Sequence, residues 1–138
     1  MAKAIRVLMC GSDIQRVKGG MVTVVRNYLQ YGGWEKSEIT YLATHTEGSR
    51  ARKTLRFAAA GLRAAAALLR GRYDLVHLHI AERGSFYRKA LLVRLCRRLQ
   101  VPGVLHHHGA EFEDFYARLD EKKKAYVKQV FEAASVNL

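Results

Sequence analysis

The chain has 138 residues, 24 of them Lys or Arg and 12 Asp or Glu, a length that fits one domain with one core. Hydrophobic residues make up 49%, with 11 glycines and a single proline, which excludes a disordered tail, a collagen-like rod and a proline-rich linker. The net charge of +12 requires an anionic counterpart: nucleic acid, an acidic bilayer or a phosphorylated small molecule.

Ala4 to Met9 is a short apolar run, too short for a signal peptide, that reads as a buried strand emptying into the turn-forming Cys10-Gly11-Ser12-Asp13. After Gly19-Gly20, the residues Met21, Val24, Val25, Tyr28 and Leu29 recur at helical spacing until Gly32-Gly33 stops the pattern. Glu38 to Thr44 is β-rich. Ser49 to Leu69 is an Ala-rich helix with Leu55, Leu62 and Leu69 as a narrow apolar stripe. Its least polar part, the 13 residues Phe57 to Leu69, falls short of the roughly 20 needed to span a bilayer.

Asp74 to Ile80 is a third strand, and Phe86 to Leu99 a helix with Leu91, Leu92, Leu95, Cys96 and Leu99 on one face, closed by Pro102-Gly103. Val104 to His108 is a fourth strand, Phe112 to Ala133 a fourth helix and Ser135 to Leu138 the beginning of a fifth strand. Two cysteines, Cys10 and Cys96, are too few for a disulfide scaffold, so a reducing cytosol is the default setting. Apolar strands spaced by helices predict an α/β fold, a doubly wound, Rossmann-like parallel sheet flanked by helices. With the first and third strands as neighbours, ligand binds in the cleft at their carboxyl ends.

Three constellations carry candidate chemistry. In Gln15-Arg16-Val17-Lys18-Gly19-Gly20-Met21, two glycines open a helix just after a strand and loop. Backbone amides and the helix N-terminus face an anion there, with Arg16 or Lys18 as a charged support; a flexible turn is the alternative, and the segment is neither GxGxxG nor a P-loop.

The second is the set His77, His79, His106, His107 and His108. With period two, His79 and His108 sit near the carboxyl ends of their strands, and His108 is best placed to donate to a sugar hydroxyl or polarise a carbonyl. His77 and His106 lie deeper, as hydrogen-bonded core residues. Metal is not expected, because adjacent His106 and His107 face opposite sides and no cysteine or carboxylate is placed with them. Glu111, Glu113 and Asp114 follow; Glu111 is a candidate cleft residue, and Glu113 and Asp114 read as favourable charge at a helix N-terminus.

The third is charge placement. Residues 50–110 hold 13 Lys and Arg against two acidic residues. Arg52, Arg56, Arg63 and Arg70 line one helical stripe, and Arg94, Arg97 and Arg98 crowd the end of the next helix. That pattern suits peripheral contact with an anionic lipid surface. Without interleaved aromatics or a recognisable reading motif, nucleic acid is the weaker partner.

Taken in order, Lys18-Gly19-Gly20, DLVHLH, VLHHHGAEF and the helix leading to ASVNL resemble the N-terminal domain of family 4 glycosyltransferases, over essentially the whole chain. The resemblance implies one half of a GT-B architecture: residues 1–138 as its Rossmann-like N-terminal domain, ending at the start of a strand, with the C-terminal donor-binding domain absent. It implies Gly19 and Gly20 near the donor's phosphates and sugar, with Lys18 or Arg16 supporting, and His108 as the catalytic residue at the reaction centre. His79, Gly109 and Glu111 then belong to the acceptor side or the cleft.

The resemblance further implies a nucleotide sugar as substrate, no cofactor and no obligatory metal, and a glycan or lipid-linked molecule as acceptor. It implies peripheral work on the cytoplasmic membrane face, and the expectation is little transfer alone, with the donor half in cis or as a separate chain. The competing reading is a non-catalytic basic α/β module that binds anionic lipid or nucleic acid.

Overall fold

In the computed structural model, which describes residues 3–138, strand β1 (Ile5–Ser12) is an interior strand, second from one edge, of a five-stranded sheet. Around it are β2 (Ser37–His45), β3 (Leu75–Ile80), β4 (Gly103–His107) and β5 (Val136–Asn137), in the order β2-β1-β3-β4-β5 and all parallel. The helices α1 (Gly20–Tyr31), α2 (Arg50–Leu69), α3 (Gly84–Arg98), α4 (Phe112–Ala117) and α5 (Glu121–Ala133) connect them. This is the Rossmann-like α/β fold expected, with β1 and β3 as neighbours at the switch point.

Strand alternation sorts the two faces. Leu8, Cys10, Val76, Leu78, Ile80 and Leu105 turn to one side, where they pack with Ala64 and Leu68 of α2, Phe86, Ala90, Val93 and Cys96 of α3, and Val127 and Val130 of α5. The other face carries the intervening residues under α1, which buries Val22 and Val25 and lays Tyr28 against the histidines. Each fully buried side chain of this size contributes about 1.5–3 kcal/mol, so the two-sided core is what holds the parallel sheet. At the amino edge Arg6 grips Asp74 through Nη2–Oδ1 at 2.6 Å and Nε–Oδ2 at 3.0 Å, joining the starts of β1 and β3.

Three elements depart from the expectations. The first strand runs on through Cys10, Gly11 and Ser12, because Cys10 and Gly11 are buried and pair with Leu42 and Ala43. The segment Phe112 to Ala133 is two helices. Asp120 starts the second: its side chain accepts from the Lys123 amide at 2.9 Å, and capping by Asp begins a new helix more cheaply than it continues an old one. The leucine stripe of α2 faces solvent, with Leu55, Leu62 and Leu69 at 70%, 73% and 70% exposed. The face that packs on the sheet is the small-residue one, Ala60 and Ala64 with Leu68, because alanines let the helix lie close to the strands.

Candidate functional site

The strongest constellation is a ladder of imidazoles. β3 and β4 pair with His79 opposite His106, and period two sends His77, His79, His106 and His108 to the α1 face while His107 goes to the other, against Phe112 at 4.5 Å between ring centroids. The four rings stack at centroid distances of 4.5 Å for His77–His79, 5.0 Å for His79–His106 and His79–His108, and 4.2 Å for His106–His108. His79 Nδ1 lies 2.7 Å from His108 Nε2, and His77 Nε2 lies 3.2 Å from His106 Nδ1. Tyr28 caps the ladder, 5.8 Å from His106, 6.2 Å from His79 and 6.4 Å from His77.

Burial keeps these rings neutral. Desolvation first, then the neighbouring imidazoles, pushes His77 and His108 down to about 4 and His79 down to about 2. His106 is lowered too, by desolvation. At neutral pH His108 is therefore a hydrogen-bonding imidazole and not a cation, able to accept or donate at a hydroxyl or carbonyl. One nitrogen from each of His77, His79 and His106 lies within 4.8 Å of the other two. Their convergence does not need His107, whose opposite facing counted against a metal, and no cysteine or carboxylate joins the three.

Around the ladder, the carboxyl edge is built from loops. The β1 loop is shaped by Asp13, whose Oδ1 accepts from the amides of Gln15 at 3.1 Å and Arg16 at 3.3 Å. Gly19 enters α1 at φ 136, a conformation that favours glycine, and no side chain caps the helix. Ser12 and Met21 are in contact, Oγ to Sδ at 4.0 Å, which sets the start of α1 beside the end of β1. Gly20 lies eight residues before Tyr28, about 12 Å nearer the carboxyl edge than the ladder's cap. Lys18 is exposed, and Arg16 turns toward the start of α2, where it lines a hollow with Arg52 and Arg56 and not the histidines.

His108 leaves β4 with its amide donating to Ile80 O at 2.9 Å. Gly109 follows and packs so tightly that a Cβ there would overlap Glu82 Oε2 and come 2.9 Å from His107 Nε2, two buried atoms without hydrogen-bond partners. Glu111 is exposed and pairs with Arg83 at 3.3 Å. Arg83 itself sits at φ 58, an uncommon conformation for a non-glycine residue. The β3–α3 and β4–α4 loops thus touch through Glu82–Gly109 and Arg83–Glu111.

Of the arginine stripe, Arg52, Arg63 and Arg70 are exposed. Arg56 is engaged as well as exposed: Nη2 lies 3.6 Å from Asp13 Oδ2, and Nε donates to Ala43 O at 3.3 Å, so it anchors α2 to the β1 loop. Among the described residues no helix is long and apolar enough to cross a membrane.

The sequence reading passed over two cations on the first turns of α3. Lys89 is 2% exposed, its Nζ 3.4 Å from Ser85 Oγ, and desolvation brings it down to about 8. Arg88 reaches across to His45, Nη2 to Nδ1 at 3.3 Å, and burial with the surrounding cations lowers His45 to about 4. The available signal was helical spacing, since Lys89 falls on the same face as Phe86, Ala90, Val93 and Cys96. Comparison with protein-family models, with curated proteins and with solved structures finds no match to this chain.

Proposed function

We propose that this chain is the acceptor-side half of a glycosyltransferase, moving a sugar from a nucleotide-sugar donor to a glycan or lipid-linked acceptor in surface polysaccharide or glycoconjugate biosynthesis. The observation that carries the reading is the His79–His108 pair at the carboxyl ends of neighbouring strands, on the face covered by the helix that Gly19 and Gly20 open. A neutral imidazole held by a buried partner is suited to a sugar hydroxyl, and glycine-lined helix amides suit a diphosphate. In this reading His108 contacts the reacting sugar, Gly19 and Gly20 approach the phosphates with Lys18 or Arg16 in support, and His79, Gly109 and Glu111 shape the acceptor side. A donor-binding half, in cis or as a separate chain, supplies the remaining charge that stabilises the leaving diphosphate, and transfer is retaining.

The exposed leucines of α2 beside Arg52, Arg63 and Arg70 support attachment to an anionic cytoplasmic membrane face. The same feature favours the second reading, a non-catalytic basic module on anionic lipid. The deciding experiment measures hexose transfer from UDP- and GDP-hexoses to membrane-derived acceptors, with the donor half encoded in the same or an adjoining reading frame. Turnover abolished by His108→Ala supports the transferase. Turnover indifferent to it, or no second α/β domain in either frame, overturns it in favour of the module.

A further inference from the structure

His79 is fully buried, at 0% exposed, yet only one of its ring nitrogens is used: Nδ1 meets His108, while Nε2 has no hydrogen-bond partner. A buried polar atom left unpartnered costs about 1–3 kcal/mol, and the rings around this one are the other imidazoles and Tyr28, with the Lys89 amine as a further charge acting on it. His77 and His106 face one another 3.2 Å apart through Nε2 and Nδ1. Two nitrogens at that separation either share a proton or share a ligand.

We propose that His77, His79 and His106 form a binding site for a borderline divalent transition ion, Zn2+ above all, with a fourth position open to water or an anion. The geometry is close to what the ion requires. Zn–N bonds of about 2.0–2.1 Å in a tetrahedron set the ligand nitrogens about 3.3 Å apart, and the His77–His106 pair already has that edge. Within the trio no separation exceeds 4.8 Å, and turning the His79 ring out of its 19° stack on His77 is the movement that brings all three lone pairs to one point.

The donor set is all imidazole, which suits Zn2+, Co2+ and Ni2+ and not Mg2+ or Ca2+. His108 plays the supporting part that metal-binding histidines need: with Nδ1–H of His79 donating to it, the lone pair of His79 Nε2 is left for the ion. His77 and His106 are only half-buried, giving a route from solvent beside Tyr28. Because the trio holds no carboxylate, the bound ion keeps its charge, and an anion is the favoured fourth ligand. The inference is independent of the transferase reading, since it concerns what the ladder binds and not what the cleft transfers.

The test uses the untagged chain, titrated with ZnCl2 by calorimetry and with CoCl2 by visible absorption. One ion per chain with the intense visible bands of tetrahedral Co2+ is expected. The double variant His77→Gln/His106→Gln should lose more than about 100-fold in affinity, while His45→Gln and His107→Gln bind as the parent does. Should the double variant fail to fold, nitrogen NMR of the parent decides: Zn2+ shifts the ring signals of His77, His79 and His106 and leaves His45 and His107 in place. No ion bound at micromolar Zn2+, undiminished binding by a folded double variant, or shifts confined to His45, His107 and His108 overturns the site.

Discussion

His79 Nδ1 and His108 Nε2 lie 2.7 Å apart, so the histidine best placed for the cleft is also the partner of the most deeply buried one. Truncating His108 leaves His79 with neither ring nitrogen satisfied. His108→Ala is expected to lower unfolding stability by about 1–3 kcal/mol, read as a lower urea midpoint with an unchanged slope. A midpoint equal to the parent's would mean the bond contributes nothing net.

On α2, the arginines and leucines separate by their dependence on salt. Charge reversal at Arg52, Arg63 and Arg70 removes about 1 kcal/mol of attraction each, so sedimentation with phosphatidylglycerol vesicles should weaken on the order of 100-fold at low salt and converge on the parent at high salt. Leu55→Ser with Leu62→Ser and Leu69→Ser should weaken binding at both. Arg56 is left intact because it holds Asp13 and Ala43. Vesicle binding unchanged in both sets would remove the membrane assignment.

Lys89 gives a pH dependence with a definite sign. Its folded value, about 8, lies below the ordinary 10.5, so the unfolded chain holds the proton more tightly and the charged amine opposes folding. The cost is about 3 kcal/mol below pH 8 and fades as pH rises from 8 toward 10.5. Lys89→Met should therefore be more stable than the parent at pH 7, with the gap narrowing above pH 8. Cys10, pushed up to about 12 by burial, loses stability above its ordinary 9.0 and feels the charge of Lys89, so the narrowing is read between pH 8 and 9, before Cys10 contributes.

Gly109 offers a steric test. A methyl group there meets Glu82 Oε2 and His107 Nε2, so Gly109→Ala should cost about 1–3 kcal/mol through displacement of the β3–α3 loop. Gly20→Ala, where a Cβ meets nothing within 4 Å, is the comparison and should cost far less. Equal thermal midpoints for the two variants would show that the Glu82 loop gives way freely.

Much of the architecture was legible because apolar strands and amphipathic helices alternate along the chain, and a parallel sheet is the arrangement that buries such strands on both faces. What failed was local competition. Gly11 reads as a turn residue, yet its missing side chain is what lets Tyr41 cross beside it, so the strand continues. Leu55, Leu62 and Leu69 read as a core seam because leucine outranks alanine in hydrophobicity, but close approach to the sheet selected Ala60 and Ala64. In the site, period two grouped the histidines correctly by face. The register that sets His79 opposite His106 is fixed by tertiary pairing and leaves no trace in local sequence, so the three-nitrogen convergence stayed hidden.

The interior position of β1, between β2 and β3, also dictates an order of events during synthesis. Its two hydrogen-bonded neighbours are β2, which follows within one helix, and β3, which arrives only after all of α2. Two parallel strands alone make a poor sheet, and pairing over long sequence separations is slow. The first 70 or so residues therefore wait, incompletely folded, until the segment Leu75–Ile80 leaves the ribosome and closes the other side of β1. That closing segment carries His77 and His79, so the strand that closes the second side of β1 delivers half of the histidine ladder in the same step.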